Sequence, residues 1–325
     1  MMLNYNELYD KVNLYIDNMQ YNAQPKGLYA PIKYVLSLGG KRIRPILMLM
    51  AYNLYNDDVD TILPNAIALE TYHNFTLLHD DLMDRADMRR GNMTVHKKWD
   101  DNTAILSGDA MLIMAYKLFT ETENPFLQKA VKTFNAATLG VCDGQQYDVE
   151  FECRNDVREE EYMEMIRLKT SLLLACALRI GGELAGASEE DADNLYQFGE
   201  KMGLAFQLQD DLLDVYGDPA VFGKQIGGDI LCNKKTFMLI NAYNMANAAQ
   251  KNQLKEWIDK TDYVPAEKIQ AVTAIYDAVG IKAICQEKIE QLFTQALDCL
   301  AKVKVEDSKK SELKAFADKL LKRNK

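Results

Sequence analysis

Phe75-Thr76-Leu77-Leu78-His79-Asp80-Asp81-Leu82-Met83-Asp84 and Ala205-Phe206-Gln207-Leu208-Gln209-Asp210-Asp211-Leu212-Leu213-Asp214 read as two versions of one sentence. Each embeds a DDxxD pattern in a strongly apolar segment that reads as helix. At about 100° per residue, the first and last aspartates of each pattern fall roughly 40° apart on the helix and one turn, ~5–6 Å, along it. Unpaired carboxylates that close repel each other, so a cation must sit between them or one must hold a proton. Two such segments facing one another would form an oxygen-rich site for hard cations. Mg²⁺ suits it when phosphate and water complete the octahedron.

Outward from these segments, apolar residues recur at three- and four-residue spacing, as in Ile46, Leu47, Leu49, Met50 and Leu54, or Leu172, Leu173, Ala175, Cys176 and Ile180. The pattern predicts helices over 28–38, 43–55, 62–87, 103–121, 126–153, 159–186, 190–216, 229–248, 266–278, 280–302 and 308–323. Seven prolines and 17 glycines are too few to punctuate a many-stranded sheet protein, so the fold class is all-α. Breaks fall at Gly39-Gly40, Arg90-Gly91-Asn92, Asn124-Pro125, Gly186-Ala187-Ser188, Gly217-Asp218-Pro219 and Gly227-Gly228. None resembles a linker, which predicts one large helical domain over 1–325. The acidic runs Glu159-Glu160-Glu161 and Glu189-Glu190-Asp191 are expected to open helices and face water, and the basic stretch from Lys302 to Lys325 to form a solvated terminal helix.

With 48 acidic against 38 basic residues the chain carries a formal charge of −10, which argues against a non-specific nucleic-acid binder. The opening Met1-Met2-Leu3-Asn4-Tyr5-Asn6-Glu7 lacks the basic start and apolar core of a signal peptide. Uncharged runs such as 45–56 and 236–250 fall short of a membrane span or contain several asparagines. A cytoplasmic protein is the expectation. The six cysteines form no CxxC pair and read as structural thiols within apolar helices; three histidines give a zinc site little to draw on.

Basic residues decide what such a cation site would grip. They gather at Gly40-Lys41-Arg42-Ile43-Arg44-Pro45, at Arg85 with Arg89-Arg90-Gly91, at Lys169-Thr170, and at Lys224 with Lys234-Lys235. Cations grouped opposite metal-binding carboxylates hold diphosphates. His73 lies seven residues before Asp80, nearly two helical turns, and so shares its direction.

Together these segments resemble the trans-polyprenyl diphosphate synthase family. The matching motifs are GGKRIRP at 39–45, HNFTLLHDDLMDRADMRRG at 73–91, SGDA at 107–110, DGQQYD at 143–148, LKTSLL at 168–173, AFQLQDDLLDVYGD at 205–218 and FGKQIGGD at 222–229. The resemblance implies an all-α bundle of the isoprenoid synthase type around a central cavity, usually a homodimer. It also implies Mg²⁺-dependent condensation of isopentenyl diphosphate with an allylic diphosphate. It assigns Asp80, Asp84 and Asp210 to about three Mg²⁺ ions on the allylic diphosphate, with Asp81, Asp211 and Asp214 supporting the metals or their waters. Arg89, Lys169, Lys224 and Lys234 would hold the same diphosphate. Gly40, Lys41, Arg44, His73 and Arg90 would form a metal-free pocket for isopentenyl diphosphate. The Lys169 carbonyl, the Thr170 hydroxyl and the Gln207 amide would stabilise the allylic cation by their dipoles.

The family usually has Gly before its second lysine and Pro after the threonine, whereas this chain reads Asn233-Lys234-Lys235-Thr236-Phe237, leaving Lys235 as a competitor for the role of Lys234. Product length in the family is limited by bulk just upstream of the first aspartates, here Tyr72, Phe75 and Thr76. A single aromatic beside a small neighbour resembles synthases stopping at twenty carbons, with fifteen as the second reading. A terpene cyclase would need Asn, Ser/Thr and Glu at fixed spacing, but Asn155 is followed by Glu159 and Met163. A di-iron bundle would need a second copy of Glu70-Thr71-Tyr72-His73. A regulatory subunit would typically have lost one of the aspartate motifs.

Overall fold

A computed structural model describes residues 2–21, 23–218 and 226–321. The described residues are helical throughout, apart from one two-stranded hairpin, as the apolar periodicity predicts. The helices are α1 Tyr5–Asn18, α2 Lys26–Ser37, α3 Ile43–Asn53, α4 Leu63–Met83, α5 Val95–Lys98, α6 Asp101–Thr120, α7 Leu127–Glu152, α8 Glu159–Ile166, α9 Leu172–Leu184 and α10 Glu189–Tyr216. Beyond 225 come α11 Gly228–Leu231, α12 Phe237–Met245, α13 Ala248–Asp259, α14 Pro265–Val279, α15 Ile281–Lys302 and α16 Ser311–Leu321. None of them is long and apolar enough to cross a membrane.

The chain sorts into two compact units, each assembled from three separate stretches. One comprises Met1–Phe134, Ala177–Leu195 and Lys304–Leu313; the other comprises Asn135–Cys176, Tyr196–Val303 and Lys314–Lys325. In the first unit α3 is buried from Pro45 to Asn53, and α6 packs along α4. In the second, Phe151, Leu208, Leu212, Phe237, Ile275 and Ile289 centre the core.

Where helices differ from the apolar pattern, backbone chemistry explains it. The predicted helix over 62–87 stops at Met83, because Arg85 is left-handed (φ 54°). The predicted helix over 159–186 is interrupted by a π-helical turn at Arg167–Ser171. The one over 229–248 breaks at Asn233 (φ 53°) and restarts where the Thr236 hydroxyl caps the Leu239 amide. Helices α1 and α13 were outside the predicted set, although Asn4 with Glu7 and Asn247 with Gln250 are capping boxes visible in sequence.

Three surface expectations are corrected. Asp191 is buried and accepts the Lys304 amide at 2.8 Å rather than facing water. The basic tail is not merely solvated, since α16 buries Leu313, Phe316, Ala317 and Leu320. All six cysteines are free, but only Cys176 and Cys285 are buried; Cys142, Cys153 and Cys232 are exposed.

Candidate active site

The first aspartate segment ends α4, and the hairpin that follows serves it. Strands β1 (Met88–Arg89) and β2 (Asn92–Met93) are joined by Arg90 and Gly91, with φ 51° and 74°. Positive φ at both central residues matches the right-handed strand twist, which is why so short a hairpin closes here. The hairpin brings Arg89 back over α4. Its Nε reaches both Asp81 oxygens at 2.7 and 2.8 Å, and its Nη2 lies 3.6 Å from Asp80. Burial outweighs this pairing and pushes the Asp81 carboxyl up to about 6. Asp80 is partly covered and Asp84 is exposed, while Asp81 between them is buried.

Arg90 turns towards the GGKRIRP loop, donating to the Gly39 carbonyl and, at 3.5 Å, to Asn74 Oδ1. Gly40 has φ 125°, which favours glycine, and a Cβ there would lie 2.7 Å from the Arg90 Cζ and displace the guanidinium. Within this loop two arginines part ways. Arg42 is buried against Glu70 at 2.8 Å and the Leu36 carbonyl at 2.7 Å, a structural role. Arg44 instead donates to His73 Nε2 at 3.1 Å, and its own Nε is buried without a hydrogen-bond partner.

An arginine only donates, so His73 must offer Nε2 as a lone pair and carry its proton on Nδ1. Burial, with Arg44, Arg90, Arg89 and Arg42 nearby, holds the ring far below its usual pKa and therefore neutral. Burial likewise lowers Arg44 to about 10. Cations concentrated around an unsatisfied buried donor suit an anion. Lys41 is exposed, and its carbonyl accepts the Tyr5 hydroxyl at 2.8 Å.

Another face of α4 carries an aromatic wall. The Phe75 ring meets Tyr72 edge-on at 5.5 Å and His79 at 4.9 Å, and Tyr72 meets Phe134 at 5.8 Å. Thr76 bonds back to the His73 carbonyl. His79 was not among the predicted residues, although its place four after Phe75 is a sequence signal for contact. It sits over Gly108 of the SGDA motif, where a Cβ would lie 2.1 Å from its Nε2.

The second aspartate segment closes α10, and its neighbours are held by the π-turn. There the Leu172 amide bonds to the Arg167 carbonyl, five residues back. Two glycines admit this swollen turn. A Cβ on Gly144 would lie 2.4 Å from the Lys169 nitrogen, and one on Gly203 would lie 2.7 Å from the Ser171 Cα. Lys169 pairs with Asp148 of the DGQQYD motif at 2.6 Å. The Thr170 hydroxyl donates to Gln207 Oε1 at 3.0 Å, Gln207 Nε2 donates to Asp211 Oδ1 at 3.0 Å, and the Tyr162 hydroxyl donates to Asp211 Oδ2.

Burial, then the charge of Asp229, pushes Asp211 up to about 7; Lys234 and the two donors pull the other way. Asp214, desolvated and also facing Asp229, is pushed up to about 6 and accepts the Asp229 amide at 3.0 Å. Asp210 is partly exposed.

Asn233, at the position where the family pattern has glycine, adopts a left-handed conformation that asparagine tolerates. Lys268, buried beneath, donates to Asn233 Oδ1 at 2.7 Å and fixes the turn. Lys234 acts on the charge of Asp211, while Lys235 turns away to the Glu152 carbonyl at 3.3 Å. Lys224 lies outside the described residues.

The described residues contain no group of three acidic, histidine or cysteine side chains that would hold a metal unaided.

Residues 25–279 match the polyprenyl synthetase family. The chain is 40% identical over 234 residues to a geranylgeranyl diphosphate synthase of Methanosarcina mazei, covering 71% of this chain and 72% of that one. It is 34% identical over 280 residues to a (2E,6E)-farnesyl diphosphate synthase of Mycobacterium bovis, covering 86% and 78%. A crystal structure of a geranylgeranyl pyrophosphate synthase matches it over 100% of both chains with a TM-score of 0.94 and 42% identity. The chain belongs to the polyprenyl synthetase family. As a member of it, it is a trans-prenyltransferase with the all-α isoprenoid synthase fold.

Proposed function

We propose that the chain condenses isopentenyl diphosphate head-to-tail with dimethylallyl, geranyl or farnesyl diphosphate, stopping mainly at the twenty-carbon geranylgeranyl product, with the fifteen-carbon farnesyl product second. The observation that carries this reading is the parallel build of the two aspartate segments. In each, the middle aspartate is held by protein donors, Asp81 by Arg89 and Asp211 by Tyr162 and Gln207. The outer ones are less deeply buried.

Asp80, Asp84 and Asp210 are suited to hold Mg²⁺, with Asp81, Asp211 and Asp214 behind them. Bound there, Mg²⁺ would neutralise the allylic diphosphate and polarise its bond to carbon. Arg89, Lys169, Lys224 and Lys234 bind the same diphosphate and retain it once the carbon–oxygen bond has broken, its electron pair leaving with the oxygen. Gly40, Lys41, Arg44, His73 and Arg90 hold the isopentenyl diphosphate, where the unsatisfied Arg44 Nε supplies a ready donor. Its double bond then attacks the allylic carbon, and a proton passes to the released diphosphate. The Lys169 carbonyl, Thr170 and Gln207 face the cation with dipoles rather than full charges, a stabilisation that anionic side chains could provide only at the risk of being alkylated.

The enzyme works as one isoprenoid-synthase-like domain, a homodimer in the cytoplasm. Incubation with Mg²⁺, isopentenyl diphosphate and each primer, followed by chromatography of the dephosphorylated products, tests the reading. A twenty-carbon alcohol from all three primers is expected; no condensation with any of them would refute it. Phe75 stands as the floor of the product channel. Phe75→Ala removes the ring that touches Tyr72 and His79 and should lengthen the product by at least one isoprene unit, whereas an unchanged chromatogram would remove Phe75 from that role.

A further inference from the structure

The hydrogen-bond chain behind the second aspartate segment has a direction, and the direction is fixed from its buried end. We propose that Tyr162 and Asp211 are positioning residues that set which way the Gln207 amide faces, and through it which side of the Thr170 hydroxyl is turned to the reacting carbons. The inference rests on the reading of Thr170 and Gln207 given above.

Tyr162 and Asp211 are 1% and 3% exposed, so neither exchanges its partner for water. Asp211 offers lone pairs to its neighbours. One oxygen takes the Tyr162 hydroxyl and the other takes an N–H of Gln207 at 3.0 Å. An amide whose nitrogen is committed to Asp211 must present its carbonyl oxygen on the other side. That oxygen lies 3.0 Å from the Thr170 hydroxyl.

A threonine hydroxyl has one proton and two lone pairs. With its proton given to Gln207, Thr170 has only lone pairs left for whatever lies before it. Lone pairs attract an allylic cation; an O–H proton would repel it.

Were the amide reversed, its N–H would donate to Thr170, and the threonine proton would be displaced towards the substrate. The π-turn adds to the constraint, because the residues on either side of Thr170 are closely packed, Lys169 against Gly144 and Ser171 against Gly203, which limits how far the hydroxyl can move with its backbone. Asp211, within a DDxxD motif, thus also serves the cation-facing dipoles.

A double-mutant cycle between Tyr162→Phe and Gln207→Leu tests this. In the native background, Tyr162→Phe should lower kcat roughly 10-fold while KM for both diphosphates and the Mg²⁺ concentration for half-maximal activity change less than about twofold. In the Gln207→Leu background, the same substitution should change kcat by less than about twofold, because there is no amide left to orient. Asp211→Asn, whose single carbonyl oxygen can accept from Tyr162 or from Gln207 at the two present positions but not from both, provides a second probe and should also lower kcat, again with Mg²⁺ half-activation unchanged.

Equal kcat losses for Tyr162→Phe in both backgrounds would overturn the proposal, as would a shift in Mg²⁺ half-activation large enough to account for the loss in Asp211→Asn. If Gln207→Leu alone leaves kcat intact, the cation-facing role of Gln207 falls and this inference with it, whereas product formation by the native protein still upholds the prenyltransferase reading.

Discussion

The two aspartate segments carry the same letters and solve the same problem by different means. In the first, the middle aspartate is met by a cation: Arg89 reaches Asp81 through Nε at 2.7 Å and Nη2 at 2.7 Å. In the second, the donors in contact with the middle aspartate, Tyr162 and Gln207, are neutral, and a lysine acts on it only through its charge. The first holder arrives on a hairpin with a two-residue loop; the second is built into helices α8 and α10. The outcome shows in the carboxyls themselves, Asp81 pushed up to about 6 and Asp211 to about 7, both chiefly by burial. A motif therefore specifies which carboxylates are grouped, while the neighbours decide what each is worth.

The comparison is broken most directly at Arg89. Arg89→Ala leaves a buried carboxyl without its cation and frees the hairpin from α4, so stability should fall by roughly 2–4 kcal/mol. Arg89→Lys, a single point charge in place of a planar fork, should recover only part of it. Urea denaturation of the three proteins reads the difference. A native-like midpoint for Arg89→Ala would mean that Asp81 needs no cation and that the two segments are held alike.

A smaller effect separates the loops that deliver the cations. Each turns on a left-handed residue that is not glycine, Arg90 at φ 51° and Asn233 at φ 53°. Asparagine visits that region at little cost, and here its side chain is also held by Lys268 at 2.7 Å. Asn233→Gly should be neutral within about 0.5 kcal/mol, losing that hydrogen bond but easing the backbone, while Asn233→Val should cost roughly 1–3 kcal/mol. Thermal denaturation of both variants checks this. A Val variant as stable as the native chain would show that the turn relaxes freely and does not fix Lys234.

These details mark where sequence stops being readable. The helices, the all-α class, the two carboxylate groups and the cation clusters follow from period and spacing, which are local and therefore legible. Arg42 and Arg44, two residues apart in one motif, could not be told apart from sequence, because one meets Glu70 and the other His73, both on α4. The π-turn at Arg167–Ser171 was likewise hidden, since its cause lies in Gly144 and Gly203 on other helices. The departure at Asn233 falls at a left-handed turn, a conformation that glycine and asparagine both tolerate. The capping boxes that begin α1 and α13 were legible and simply outweighed by weak apolar periodicity around them.

The least effect, and the one that sharpens the comparison furthest, is on pH. Asp211 and Asp81 have folded-state values above those of an unfolded chain, so the folded state binds more protons and stability must fall as pH rises through the folded values. For Asp211 this contribution is whole below the usual carboxyl value of 3.8 and gone above about 7; for Asp81 and Asp214 it is gone above about 6. His73 has the opposite sign, because its folded value lies far below 6.5 and acidification beneath 6.5 therefore costs stability. Between about pH 6.5 and 8, Asp211 is thus the carboxyl among these that still titrates. The metal-free chain should lose on the order of 1 kcal/mol across that interval, read by urea denaturation in the presence of a chelator. Asp211→Asn should flatten the slope, and Asp81→Asn should leave it in place. A slope that persists in Asp211→Asn would mean that neutral donors hold a buried carboxylate as firmly as a guanidinium does, and the distinction between the two segments would vanish.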